Sequence, residues 1–137
     1  MIRSLSLIFF LFLSFSSIAS PPIEEVEVTS SLAKKLGFKV KVQPEGNAVV
    51  VEVSGPSEIK SGCLPSRSGN FVLGKNGEEV AVYIAELPRT SESPKAIGYI
   101  VSGSPNSMGV FIDYFCPKKR AHESKRYVIS SVRAWGS

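Results

Sequence analysis

Two cysteines and one histidine are all that 137 residues supply, and that scarcity removes several chemistries at once. Cys63 and Cys116 form no CxxC pair, and a lone His122 beside them does not complete a zinc ligand set. No redox dithiol, metal or cofactor is therefore expected. The chain also lacks GxSxG, HExxH, Walker-type and GxGxxG sequences, so the common nucleophile, metalloprotease, nucleotide and dinucleotide motifs have no foothold. Charge of one sign is short as well. Lys and Arg number 16 and Asp and Glu 12, a net of +4, without the long basic stripe that a nucleic-acid-binding surface needs.

Long apolar runs are absent except at the start. Met1-Ile2-Arg3 leads into an uncharged stretch, apolar from about Leu5 to Phe15, that ends in small residues. This is the pattern of a secretory signal peptide. Ser17-Ile18-Ala19 satisfies the small-x-small rule, which places cleavage after Ala19 and a mature domain over 20–137. The apolar part is shorter than the ~20 residues that span a bilayer, so no stable transmembrane anchor is expected after cleavage. Loss of Arg3 brings the net charge to +3. The expected location is outside the cytoplasm, periplasmic or secreted, where thiols oxidise. Only one pairing is open to two cysteines. A Cys63–Cys116 bridge closes a long loop, worth about 4 kcal/mol in the chain-entropy model.

What the chain does contain is alternation. "EEVEVTS", "GFKVKVQ" and "AVVVEVS" place valines and Phe38 at every second position, the period of half-buried strands. "PEGN" (44–47) separates the last two, so 37–54 reads as a β-hairpin. Between the first two strands, "SSLAKKLG" has the marks of a short helix near 31–36. Ser30 or Ser31 serves as its cap, Lys34 and Lys35 fill its last turn, and Gly37 ends it. Residues 55–70, rich in Gly, Pro and Ser, read as loop. Strand patterns resume in "FVLGKNGEEVAVYIAEL", where Asn76-Gly77 marks a tight turn. They continue in "AIGYIVS", "MGVFIDYF" and "RYVISSVRAW", the last favouring β over helix by its Tyr, Val and Ile content. Seven to eight short strands with turns every 8–12 residues and one helical turn define a mainly β, antiparallel β-sandwich in a single domain.

Tyr114-Phe115-Cys116 invites comparison with the immunoglobulin pattern, in which Tyr precedes the second cysteine by two positions. An immunoglobulin-like topology is compatible with the strand count. The antibody-type disulfide core is not, because Cys63 falls in a Gly/Pro-rich stretch and the only Trp, Trp135, follows both cysteines.

Candidate functional residues are few. Glu52, Glu86 and Asp113 lie on strands and would need to converge in space to form a carboxylate-based hydrolase site. Asp113 stands in an apolar strand where Val110, Ile112 and Tyr114 alternate with Phe111 and Phe115, so burial obliges it to find a partner. The segment 117–126 reads as a basic loop. Lys118, Lys119, Arg120, Lys125 and Arg126 against Glu123 give a net of +4, suited to contacting an anion. No aromatic alternates with these charges, so base stacking is not expected. Taken together, the sequence points to an exported non-catalytic binding or accessory module of the cell envelope or extracellular space. Its expected partner is a protein or an anionic envelope component. The alternatives are a secreted inhibitor of a protease or lysozyme, presenting loops 62–70, 103–107 and 117–126, and a small secreted hydrolase.

Overall fold

Wherever apolar and charged residues alternate, the computed structural model, which describes residues 23–60, 62–101, 107–117 and 122–130, forms strands. The order is β1 (Ile23–Glu27), α1 (Ser30–Leu36), β2 (Lys39–Glu45), β3 (Ala48–Ser54), β4 (Leu64–Leu73), β5 (Glu79–Glu86), β6 (Lys95–Val101), β7 (Ser107–Pro117) and β8 (His122–Ile129). They build a five-stranded sheet, β1-β8-β7-β4-β5, and a three-stranded sheet, β2-β3-β6. The segment expected to be a signal peptide, the residues 118–121 and those after Ser130 lie outside the described residues.

The two sheets stack as a β-sandwich. The smaller one lies with β3 and β6 against β7, and β6 also against β4. At the other margin Phe38, just ahead of β2, stacks on Tyr127 of β8 at 5.2 Å between ring centroids. The core holds Val51 and Val53 from β3, Val110, Ile112 and Tyr114 from β7, and Tyr127 and Ile129 from β8, with Val28, Phe38 and Ile59 closing its ends. Burial of these side chains supplies most of the driving force for the fold.

α1 fills the inner face of β1 and β8 that β2 does not reach, burying Ala33. Its N-cap is Thr29, whose hydroxyl accepts the Leu32 N–H at 3.2 Å, not Ser30 or Ser31. Thr29 still has the extended backbone of β1 (ψ 166°), and that geometry is what a cap requires. Gly37 closes the helix in the left-handed region at φ 89°, as its sequence position suggests.

Three features depart from the sequence reading. β1 pairs with β8 in parallel, an exception in an otherwise antiparallel fold. Alternation encodes which face a residue takes, not strand direction, and no tight turn ties these two distant segments together. Residues 64–70 are strand, although their composition reads as loop. Gly69 is required there, since a β-carbon would collide with the Tyr83 carbonyl and the Phe111 ring. Finally β8 begins at His122, so Lys125 and Arg126 belong to a strand and not to the basic loop.

β7 is the central strand and is buried on both faces, as its sequence implies. Tyr114 is the largest of its buried side chains, and its hydroxyl donates to the Pro56 carbonyl at 2.7 Å. Burial pushes the ionisation of this phenol well up. The loop can come this close because residue 55 is glycine; any β-carbon there would meet the Tyr114 hydroxyl. Tyr114→Phe leaves the Pro56 carbonyl without its partner and is expected to destabilise the protein by about 1–2 kcal/mol in urea unfolding. An unchanged midpoint would show that the carbonyl has recruited water instead.

Candidate interaction surface

Asp113 is fully buried on the face of β7 turned away from the smaller sheet. Two arginines meet it there. Arg126 donates from Nε to Oδ1 at 2.7 Å and from Nη2 to Oδ2 at 3.0 Å, a bidentate pair, and Arg67 Nη2 lies 3.2 Å from Oδ2. Strand register explains the convergence, because Arg126, Asp113 and Arg67 are direct cross-strand partners. The same row continues outward to Glu25 opposite Arg126 and to Glu86 opposite Arg67. Charge thus alternates, acid–base–acid–base–acid, across all five strands. Opposite charges directly across a ladder attract, and each arginine here stands between two acids. The hydrogen bonds that Arg126 donates to Asp113, opposed by burial and reinforced by the charges of Asp113 and Glu25, raise the ionisation of Arg126. Its guanidinium also lies over the Phe111 ring, 3.9 Å from the centroid.

This arrangement separates the acids proposed for a hydrolase. Glu86 and Asp113 share the row, with Arg67 between them. Glu52 belongs to the other sheet, next to Lys95 at 3.7 Å. The three carboxylates do not converge on one space.

The basic residues divide in a similar way. Arg126 lies on the outer face of β8, turned to Asp113, and Lys125 lies on the inner face with its Nζ 3.8 Å from Glu24. Lys118, Lys119 and Arg120 lie outside the described residues. Cys63 and Cys116 are joined. The bridge connects the residue ahead of β4 to the end of β7, neighbouring strands of one sheet, whereas the immunoglobulin bridge crosses between sheets.

Sequence reasoning did not anticipate the surface at the β5 and β6 margins. Among the described residues, six of the seven exposed large apolar side chains belong to these two strands: Val80, Tyr83, Ile84, Ile97, Tyr99 and Val101. β5 ends the larger sheet and β6 ends the smaller one, on the same side of the sandwich. β6 packs over β7 and β4, so β5 projects beyond it. Tyr83 stands opposite Asn70 in register, on the inner face of that projection, and is 65% exposed.

The free edge of β6 can be assigned. Gly55 donates to the Pro94 carbonyl, which fixes Ala96, Gly98 and Ile100 as the residues hydrogen-bonded to β3. Ile97, Tyr99 and Val101 therefore turn their backbone groups away from β3. The Asn70 side chain confirms the direction, its amide donating to the Ile97 carbonyl at 3.1 Å. Edge strands are ordinarily blunted by charge, proline or a covering element. β1 carries three glutamates, and β2 carries Lys39, Lys41, Pro44 and Glu45. β6 beyond Lys95 carries no charge at all, and β5 is uncharged from Val80 to Ala85.

No family model, curated protein or solved structure matches this chain.

Proposed function

We propose that the protein is an exported, non-catalytic binding module whose docking surface is the β5/β6 side, and that the docking element is an extended, uncharged segment of a partner protein. The concentration of exposed apolar side chains on two unblunted edges is the observation that carries this reading. A strand added to β6 would take up the outward backbone groups of Tyr99 and Val101 and the Ile97 amide, and would share or displace the Asn70 hydrogen bond to the Ile97 carbonyl. It would become the fourth strand of the smaller sheet and lie beyond Asn70, over Tyr83, which that sheet leaves uncovered. Main-chain hydrogen bonds give such augmentation its affinity, and alternate side chains give its specificity.

Export to the periplasm or extracellular space is part of the proposal. It is supported by the disulfide and by the N-terminal sequence pattern. No helix among the described residues is long and apolar enough to cross a membrane. The immunoglobulin-like reading of the fold has support in strand order. β8-β7-β4-β5 follows the G-F-C-C′ arrangement of variable-type domains, and β2-β3-β6 follows A-B-E. Strand order would place the module in a large class without naming its partner.

Selection of displayed peptides on the oxidised protein tests the proposal. Enriched sequences are expected to be extended, uncharged and apolar at alternate positions. Their affinity should fall at least ten-fold on an Ile97→Lys, Tyr99→Lys variant, whose exposed side chains leave the core untouched. Equal binding to both proteins would overturn the proposal. A concentration-dependent dimer that the same variant abolishes would replace the partner with a second copy of the chain.

A further inference from the structure

A second concave feature lies on the opposite margin of the sandwich, where α1 crosses the inner face of β1 and β8. Its floor is apolar, formed by Val26, Leu36 and Tyr127, and its volume is about 160 Å³. Three lysines are among the residues that line it, Lys35 from α1, Lys60 from the loop before the disulfide, and Lys125 from β8. Against these stands one paired acid, Glu24, at 3.8 Å from Lys125. Among the described residues Lys35 and Lys60 form no ion pair. Glu58, the nearest acid in sequence to Lys60, accepts the Gly62 N–H at 2.8 Å.

The backbone at Lys60 is a further observation. It is the only described non-glycine residue with positive φ, at 50°. A side chain in that region is disfavoured relative to glycine, and persists only where the surroundings impose it. Here they do. Ile59 and Cys63 exchange backbone hydrogen bonds at 2.9 and 3.3 Å, and Cys63 is held by the disulfide. Glycine would relieve the strain, yet the position carries a lysine that lines the cleft.

From this geometry we infer that the cleft is a binding site for a compact amphiphilic anion, a single ring or short alkyl group bearing a carboxylate or phosphate. The volume sets the apolar part, since a dry cavity of about 150 Å³ accommodates benzene. It is too small for a long acyl chain. The charges set the head group, because three lysines line the cleft and one glutamate stands against them. A carboxylate and a phosphate present the same chemistry to the rim. The site is separate from the β5/β6 surface and does not depend on the proposal made for it.

Calorimetric or NMR titration with four probes tests the inference: hexanoate, hexyl phosphate, hexanol and acetate. Hexanoate and hexyl phosphate are expected to bind, at least ten-fold more tightly than hexanol or acetate, and to shift the resonances of Leu36 and Tyr127. The ratio between the two anions identifies the preferred head. Lys35→Gln and Lys60→Gln should each weaken the anions several-fold and leave hexanol unchanged. A Leu32→Trp variant, which fills the cleft from α1, should abolish binding; its far-ultraviolet spectrum and melt verify the fold. Equal affinity for hexanoate and hexanol would mean that the lysine stems merely cover apolar surface, and would overturn the inference. So would equal affinity for hexanoate and acetate, or no binding at millimolar concentration. The Ile97→Lys, Tyr99→Lys variant should bind hexanoate as the wild type does, which keeps the outcome at one site distinct from that at the other.

Discussion

Asp113→Asn is expected to destabilise the protein by about 3 kcal/mol in urea unfolding. Removing one partner of a buried ion pair leaves the other charge uncompensated, at a typical cost of about 3–5 kcal/mol. The lower end applies because the Arg67 side chain is 32% exposed and can recruit water, whereas the side chain of Arg126 is only 17% exposed. The substitution keeps the shape of the side chain and so isolates charge from packing. A triple replacement, Arg67→Met, Asp113→Leu, Arg126→Met, provides the complementary test. It removes all three charges of the cluster at once and should recover most of the lost stability, as apolar replacements of buried ion clusters often do. A loss below about 1 kcal/mol for Asp113→Asn would mean that the row behaves as an exposed ion pair.

Loss of the disulfide should have a comparable effect. Cys63 and Cys116 are 53 residues apart, so the bridge restricts a large part of the unfolded chain. The expected cost of Cys63→Ala with Cys116→Ala is about 4 kcal/mol in the chain-entropy model. The bridge also holds the turn that carries Lys60, so the double variant should weaken hexanoate binding beyond any effect on folding. Thermal melts of the oxidised and reduced protein provide the measurement. Coincident melts, or thiols that alkylate freely without reductant, would contradict it.

Strand identity was legible in the period-two valines of β2 and β3, and the helix end in Gly37. Burial of Asp113 followed from the apolar neighbours on both faces of β7. Its partners did not. Arg67 lies in a stretch whose serines, proline and glycine signal loop, and only the Gly69–Phe111 contact shows why a strand needs that composition. Arg126 looked like one member of a basic run because register across β7 and β8 is a tertiary fact. The β5/β6 surface was misleading in a more instructive way. Apolar residues on both faces of β5 and an uncharged β6 are what a central strand would have. The sequence displays the pattern, but only topology reveals that, among the described residues, both strands are edges. In physical terms, an edge with the composition of an interior strand lacks a neighbour.

Hydrogen exchange at individual amides of β6 tests that point most directly. In the isolated protein, Ala96, Gly98 and Ile100, bonded to β3, should exchange slowly, while Ile97, Tyr99 and Val101 should exchange orders of magnitude faster. Addition of a peptide selected on the wild-type protein should slow those three amides specifically and protect the Tyr83 side chain from solvent. If Ile97, Tyr99 and Val101 are already as protected as their neighbours in the isolated monomer, or if the bound peptide protects another part of the molecule, then β6 is not an open docking edge and the proposed function is wrong.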